Sequence, residues 1–248
     1  MHLLERVVEK PHACAYLPAE RASLEVRVML DVTPAETDAL LERAWRRFGP
    51  IYFRPACAAC SECVSLRVLT ERFTPTKSQR RAARACASLR RVVGPPQVDA
   101  ARLALYAQWH ASREAVRGWE PNAQTQDRYA LEFGFPHPCA REAAFYDDEA
   151  GKLVGVGLFD ETPRALSAAF FFYDPAYARL SPGTANVLGL LADARAGGRR
   201  HVYLGYCVAG CASLRYKAAF RPHERLVGRP APEDEPRWDE VEPVAAPP

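Results

Sequence analysis

The chain has 248 residues, 48% of them hydrophobic and 25% charged, with 14 glycines, 21 prolines and a formal net charge of +3. This composition suits one globular domain, or two small ones sharing a core, and excludes collagen-like, wholly disordered and disulfide-scaffold classes. The start, MHLLERVVEK, has no apolar stretch of signal-peptide length and no later segment approaches the apolar run of a membrane span, so a cytoplasmic protein without a membrane partner is expected.

Leu24, Val26, Val28 and Leu30 alternate with Glu25, Arg27 and Met29, the period of a half-buried strand. Thr33 and Glu36 then form a capping box with Pro34 at the first helical position, and Leu40, Leu41, Ala44, Trp45 and Phe48 predict a helix that Gly49 ends. The segment IYFRPACAACSECVSLRV reads as an irregular cysteine-rich loop leading into a strand near Val64 to Phe73. A second helix is expected over Thr76 to Arg91, with Ala82, Ala85, Cys86 and Leu89 inward and Lys77, Arg80, Arg81 and Arg84 outward. VVGPPQ marks a boundary between an N-terminal region, 1–94, and a second region, 95–230.

Beyond it, Leu103, Tyr106, Ala107 and His110 recur at helical spacing, and a shorter helix is expected over Thr125 to Gly134. Three strand-like runs near 141–147, 153–160 and 165–174 predict an antiparallel meander. After SPGT comes a helix carrying Val187, Leu188, Leu191 and Ala194, then the strand HVYLGYC and a short helix around Ser213 to Phe220. Residues 231–248 hold six acids against Arg237 and are rich in proline, so a disordered tail is expected. The body is correspondingly basic, with 29 arginines and four lysines in the whole chain, which suggests a polyanionic partner.

This order of elements resembles an acetyltransferase-like (GNAT-type) α+β fold, a mixed sheet flanked by helices, preceded by a smaller cysteine-bearing region. In acyl-CoA enzymes of that fold, backbone amides at the turn before the helix cradle a pyrophosphate. Here the turn holds Pro182, which has no amide to donate, so an acyl-CoA N-acetyltransferase is disfavoured. Several strings in order resemble the aminoacyl-tRNA–protein transferases of the arginyltransferase type, and among them the bacterial aspartate/glutamate leucyltransferases. They are CAYLP (14–18), YFRPACAACSECVSLRV (52–68), SQRR (78–81), FFYDP (171–175), SPGT (181–184), YLGYC (203–207) and YKAAFRPHE (216–224). The resemblance implies transfer of leucine from leucyl-tRNA to proteins beginning with Asp or Glu, marking them for degradation. Arginine transfer to the same acceptors is the nearest alternative, ahead of a non-catalytic tRNA-binding protein. The implied partners are aminoacyl-tRNA and those acceptor proteins, and no DNA.

An aminoacyl ester is already activated, so no covalent enzyme intermediate and no cofactor are required for the chemistry. Asp174, beside Tyr173 at the end of the third meander strand, is a candidate to take a proton from the amine or to orient the donor, or else it starts a turn. Ser181, Gly183 and Thr184 at the helix turn, and Tyr203, Gly205, Tyr206 and Tyr216, are substrate-binding candidates. The tyrosine rings suit stacking on a terminal adenosine, although two of the three would then be expected to pack in the core instead. Arg54, Arg67 and Lys217 are candidates for the acceptor carboxylate. Lys77, Arg80, Arg81 and Arg84 are expected to meet tRNA phosphates. Cys57, Cys60 and Cys63, with Cys14, have spacing that suits zinc or an iron-sulfur cluster, against reduced thiols in a packed loop. Cys86, Cys139, Cys207 and Cys211 read as small core residues, and His110 as a core histidine.

Overall fold

The computed structural model describes residues 1–121 and 124–241. In chain order, β1 (His2–Val8), the short pair β2 (His12–Ala13) and β3 (Arg21–Ala22), and β4 (Leu24–Leu30) lead into α1 (Pro34–Glu42). The Thr33–Glu36 capping box forms as expected. The helix is shorter than its apolar spacing predicts, because Ala44 turns at φ 65° and the chain becomes β5 (Arg46–Phe48), hairpinned onto β6 (Ile51–Pro55). Gly49 is therefore a hairpin residue rather than a helix stop. Its φ is +54°, and a Cβ there would lie 2.0 Å from the Leu131 carbonyl oxygen, so only glycine fits. β1, β4, β6 and β5 make a four-stranded sheet in that order. The segment 51–55 thus belongs to a strand, and only 56–63 is the irregular cysteine loop.

Next come β7 (Val64–Leu69), α2 (Lys77–Ala85), β8 (Arg90–Gly94), α3 (Ala100–Arg117) and α4 (Gln126–Glu132). α2 stops at the Cys86 cap, six residues short of the expected end, and Arg90–Gly94 pairs instead with the following strand. β9 (Ala140–Asp147), β10 (Lys152–Glu161) and β11 (Ala165–Tyr173) form the expected antiparallel meander. A 3-10 turn (Pro175–Leu180), α5 (Pro182–Ala196), β12 (His201–Cys207), α6 (Ala212–Arg215), a second 3-10 turn (Tyr216–Ala219), β13 (His223–Leu226) and β14 (Trp238–Val241) complete the chain.

The large sheet runs β14-β13-β7-β12-β11-β10-β9-β8, all antiparallel except β11 with β12. This is the expected mixed sheet, and β7 and β8 from the N-terminal third are built into it. The boundary at 94 therefore divides the sequence but not the sheet. α2 with the turn that follows it, Cys86 to Leu89, and α5 cover one face, where Cys86, Leu89, Val187, Leu190 and Leu191 pack on Leu66, Val68, Leu166, Val202 and Leu204. The opposite face meets α3 and α4 through Tyr106, Trp109, Tyr129 and Phe133, and the smaller sheet with α1 through Leu41, Ala44 and Phe53. The tail departs from expectation at Trp238–Val241, whose strand pairs with β13 while the Trp238 ring packs on Tyr203. Residues 242–248 lie outside the described residues.

The parallel pairing of β11 with β12 spans only Ala165–Ser167 against His201–Tyr203. Beyond those residues no pairing joins the two strands. A bulge between Tyr203 and Gly205, with Gly205 at φ +76°, shifts the alternation of β12 by one residue. Tyr203 and Tyr206, three apart, consequently share the face toward the smaller sheet, while Leu204 and Cys207 share the face toward α5.

Candidate functional site

A cleft of about 420 Å³ opens between the start of α2, the turn into α5 and the second 3-10 turn. Thr76, Gln79, Arg81, Arg179, Ser181, Thr184 and Tyr216 are among its lining residues. α2 is fastened across it at both ends. At the start, Gln79 Oε1 accepts from the Thr76 amide at 2.8 Å and Gln79 Nε2 donates to Ala219 O at 3.3 Å. At the far end, Cys86 Sγ donates to Leu180 O at 3.3 Å. The capping box Thr76–Gln79 is readable from the sequence as T-x-x-Q, although the basic character of the helix draws attention first.

The turn into α5 is made by Ser181 in the left-handed conformation, φ 60°. The Thr184 and Ala185 amides both donate back to Ser181 O, at 3.0 and 3.2 Å, and Pro182 contributes no donor. A pyrophosphate cradle of backbone amides is thus largely closed off. Gly183 lies next to Phe171 with ordinary van der Waals room for a Cβ. Tyr216 is 48% exposed, an aromatic face open to the cleft.

Lys77, Arg80, Arg81 and Arg84 are all exposed and line an adjoining groove together with Thr76 and Ser78. Among the described residues none of the four makes an ion pair with a carboxylate. Of the acids near the end of the described residues, Glu240 pairs with Arg72 at 2.6 Å. The structure therefore brings the expected tRNA-binding residues next to Ser181, Thr184 and Tyr216. Neither Phe171–Pro175 nor Tyr203–Cys207 lines this cleft.

Asp174 stands apart from it as well. Its Oδ1 accepts from the Ala176 amide at 2.9 Å and from Gln108 Nε2 at 3.3 Å, and its Oδ2 from Lys152 Nζ at 2.8 Å. Burial raises its pKa, but the Lys152 hydrogen bond and the Ala176 amide outweigh that, and the carboxyl ends below its ordinary value. Such a carboxylate caps the turn and holds an ion pair. Tyr173 is likewise engaged, its hydroxyl accepting from Arg113 at 2.9 Å. Both members of the expected catalytic pair are thus held by partners within the fold.

Arg54 and Arg67 are matched internally rather than turned to a ligand. Arg54 pairs with Glu25 at 2.9 Å and donates to Pro230 O, and Arg67 pairs with Glu224 at 2.5 Å while its guanidinium lies 4.2 Å from the Trp238 ring centroid. Tyr203 and Tyr206 are core residues. The Tyr203 hydroxyl accepts from Arg67 at 3.3 Å, and the Tyr206 hydroxyl donates to Ala44 O at 2.7 Å. Of the three tyrosines, only Tyr216 is presented to the cleft.

Lys217 turns from the same 3-10 turn toward β12, where its Nζ donates to Tyr206 O at 2.8 Å. Burial, reinforced by the nearby Arg46 cation, lowers its pKa to about 8. Arg46 is a residue that sequence reasoning missed, since in a predicted helix it falls among ordinary surface arginines. It lies on β5, buried, with its guanidinium 5.3 and 5.6 Å from the Tyr203 and Tyr206 ring centroids. Burial lowers its pKa too.

The four expected metal ligands gather in one region. Burial pushes the Cys63 thiol up to about 12, and Cys57, Cys14 and Cys60 add to that rise as nearby potential anions. Arg229 holds the loop by donating to Cys57 O at 2.6 Å and to Cys60 O. Cys57 Sγ faces Ser23 O at 3.6 Å, and Cys14 Sγ accepts from the Tyr16 amide at 3.4 Å. Four thiols are a donor set suited to zinc or an iron-sulfur cluster. Among the described residues, however, no three Cys, His, Asp or Glu side chains are disposed to hold one ion. Cys86, Cys139 and Cys207 are buried as expected, whereas Cys211 is half-buried, with Sγ 3.1 Å from Ser213 Oγ. His110 is buried beside Glu114, at 2.8 Å.

Two family profiles match the chain, described as arginine-tRNA-protein transferase, N terminus, over residues 12–81 and the corresponding C terminus over 101–227. An aspartate/glutamate leucyltransferase of Helicobacter hepaticus is 31% identical over 240 residues, 96% of this chain and 98% of that protein. One from Halorhodospira halophila is 36% identical over 222 residues, 88% of this chain and 92% of that protein. Among solved structures, FemX is similar at a TM-score of 0.44 and 7% identity, covering 74% of this chain and 63% of that one. With relatives aligned over nearly its whole length and both halves of the family profile in order, the chain belongs to the arginine-tRNA-protein transferase family, an enzyme family of the transferase class.

Proposed function

We propose that this protein transfers leucine from leucyl-tRNA to the N-terminal α-amino group of proteins beginning with Asp or Glu, in the cytoplasm, so marking them for degradation. The observation that carries the reading is a groove of four cations on α2, without an ion pair among the described residues, that adjoins the cleft holding the exposed Tyr216 and shares Arg81 with it. Lys77, Arg80, Arg81 and Arg84 hold acceptor-stem phosphates, and the Tyr216 ring stacks on a base at the single-stranded end that bears the ester. The relatives named as leucyltransferases support the donor and the acceptors. Among the described residues no helix is long and apolar enough to cross a membrane.

The chemistry asks little of acid–base groups. The attacking amine has a pKa of about 8, which leaves on the order of a tenth of it deprotonated at neutral pH. Attack on the ester carbonyl forms the peptide bond and releases the ribose oxygen of the tRNA, which takes up a proton. Positioning of two substrates then supplies most of the acceleration, consistent with Asp174 and Tyr173 being engaged in the fold.

The deciding assay incubates the protein with radiolabelled Leu-tRNA or Arg-tRNA and peptides starting with Asp, Glu, Arg or Ala. Label is expected to pass from Leu-tRNA to the Asp and Glu peptides. Transfer from Arg-tRNA alone would move the donor to arginine, and no transfer in any pairing would refute an aminoacyltransferase. The cysteine quartet is proposed as a stabilising metal or cluster site outside the reaction. Purified protein is then expected to hold about one metal centre per chain and to lose stability on chelation. Metal-free protein of full stability would assign these cysteines to packing.

A further inference from the structure

Several other arginines of low exposure find a carboxylate. Arg47 pairs with Asp160, Arg102 with Glu142, Arg54 with Glu25 and Arg67 with Glu224. Arg46, 8% exposed, does not. Its two terminal nitrogens donate to Trp45 O and Ser65 Oγ, and its Nε is buried with no hydrogen-bond partner. Beside it stands Lys217, half-buried, whose Nζ is held by the Tyr206 carbonyl and would lie 3.5 Å from a Cβ on Gly205. Tyr206 joins the two cations, offering its ring to Arg46 and its carbonyl to Lys217. Among the described residues neither cation has an ion-paired carboxylate. Dipoles and ring faces offset part of the cost of burying two like charges together, and an anion settling between them removes the rest.

We infer that Arg46 and Lys217 form the subsite that takes the side-chain carboxylate of the acceptor's first residue. This rests on the acceptor class proposed above and names the groups that read it. Burial favours this anion over tRNA phosphate, because a lone carboxylate is small enough for so enclosed a pair, and the exposed cations of α2 lie in a separate groove. Tyr216 and Lys217 are consecutive residues on one 3-10 turn, the first facing the cleft and the second facing β12. A donor stacked on Tyr216 and an acceptor anchored at Lys217 are thus held by adjacent residues of one turn. Arg46 and Lys217 bind and select, and the reacting atoms lie beyond them.

The test compares peptides beginning with Asp and with Asn, equal in shape and different in charge, on the wild type, Lys217→Met, Lys217→Arg and Arg46→Met. Transfer rate, equilibrium peptide binding and metal content are measured on each folded preparation. In Lys217→Met the Asp-over-Asn preference is expected to fall by about 10- to 100-fold, the loss of a charge-assisted hydrogen bond. The KM for charged tRNA stays at its wild-type value, and Lys217→Arg keeps much of the preference. Arg46→Met repeats the loss if it folds, and the lysine variants decide if it does not. A preference that survives in Lys217→Met overturns the assignment, as does a loss of bound metal from that variant without a change in preference, which would give the cations to the cysteines. A wild type that neither binds nor uses Asp peptides in preference to Asn peptides overturns the acceptor class itself.

Discussion

Replacing Arg80, Arg81 and Arg84 together by alanine removes three of the four exposed cations of α2 while leaving its anchors, Gln79 and Cys86, in place. None of the three makes an ion pair among the described residues, and alanine is the better helix former, so stability should change by no more than about 0.5 kcal/mol. The effect on tRNA binding is large by comparison. For a duplex, removing one neutralised phosphate flattens the slope of log affinity against log salt by about 0.9, so removing three accounts for up to about 2.7. Across the fourfold change from 50 to 200 mM salt, the wild type should then lose about 40-fold more affinity than the triple variant. Fluorescence anisotropy of charged tRNA over a potassium chloride series reads this directly, with thermal melting as the control for folding. Preference between Leu-tRNA and Arg-tRNA should not move, since phosphate contacts carry no information about the amino acid. A triple variant with wild-type affinity and wild-type salt slope would place the tRNA on another surface and remove the main support for the cleft.

Asp174→Asn retains a cap for Ala176 and loses the Lys152 ion pair, so single-turnover transfer should hold while the melting temperature falls slightly. A tenfold or greater slowing of transfer would return Asp174 to the chemistry. Gly205→Ala forces a Cβ into a left-handed residue at the bulge, costing roughly 1–2 kcal/mol, and wild-type melting would show the bulge to be unnecessary. Acid sensitivity should come partly from His137, whose Nδ1 accepts the Cys139 amide at 3.1 Å while the ring bonds the Tyr52 hydroxyl at 2.9 Å. Burial, then Arg47, lowers its pKa to about 4 from 6.5, so the unfolded chain binds the proton first. The stability it contributes is complete above about pH 6.5 and is lost toward pH 4, at about 1.4 kcal/mol per unit. His137→Phe should flatten that limb of the stability curve, and an unchanged limb would locate the acid sensitivity elsewhere.

Much of the large sheet is legible from alternation and turn residues, the meander and α5 above all. The misreadings share one physical origin. Trp45 and Phe48 continue the apolar spacing of α1, yet Arg46–Phe48 pairs with β6 because the backbone at Ala44 and Gly49 reverses, and the spacing cannot register a reversal supported by distant Leu131. Arg90–Gly94 extends the charged pattern of α2 but completes the edge of the sheet beside β9. Trp238 sits in an acidic, proline-rich stretch that local composition marks as disordered, and is held there by Tyr203 and by the Arg67 guanidinium. In each case an interaction with residues far away in sequence outweighs the local pattern.

The site divides along a different line. Lys77, Arg80, Arg81 and Arg84 are legible because an exposed helix face needs no partner from the fold, so its charge pattern reports its surface directly. YLGYC is a strand whose hydroxyls and carbonyls resemble ligand-binding groups, but β12 pairs with β7 on one edge and, over its first residues, with β11 on the other, and both its faces are covered. The Tyr203 and Tyr206 side chains are therefore taken up by the fold. What such a strand offers a substrate is set where its regularity fails. The bulge at Gly205 turns Tyr203 and Tyr206 to one side, beneath Arg46, and Lys217 closes against the Tyr206 carbonyl from the next segment of chain. Two residues 171 positions apart in a chain of 248 meet there, each ordinary where it stands in the sequence. Their shared lack of a counter-ion among the described residues arises only when the hairpin, the strand and the turn are assembled.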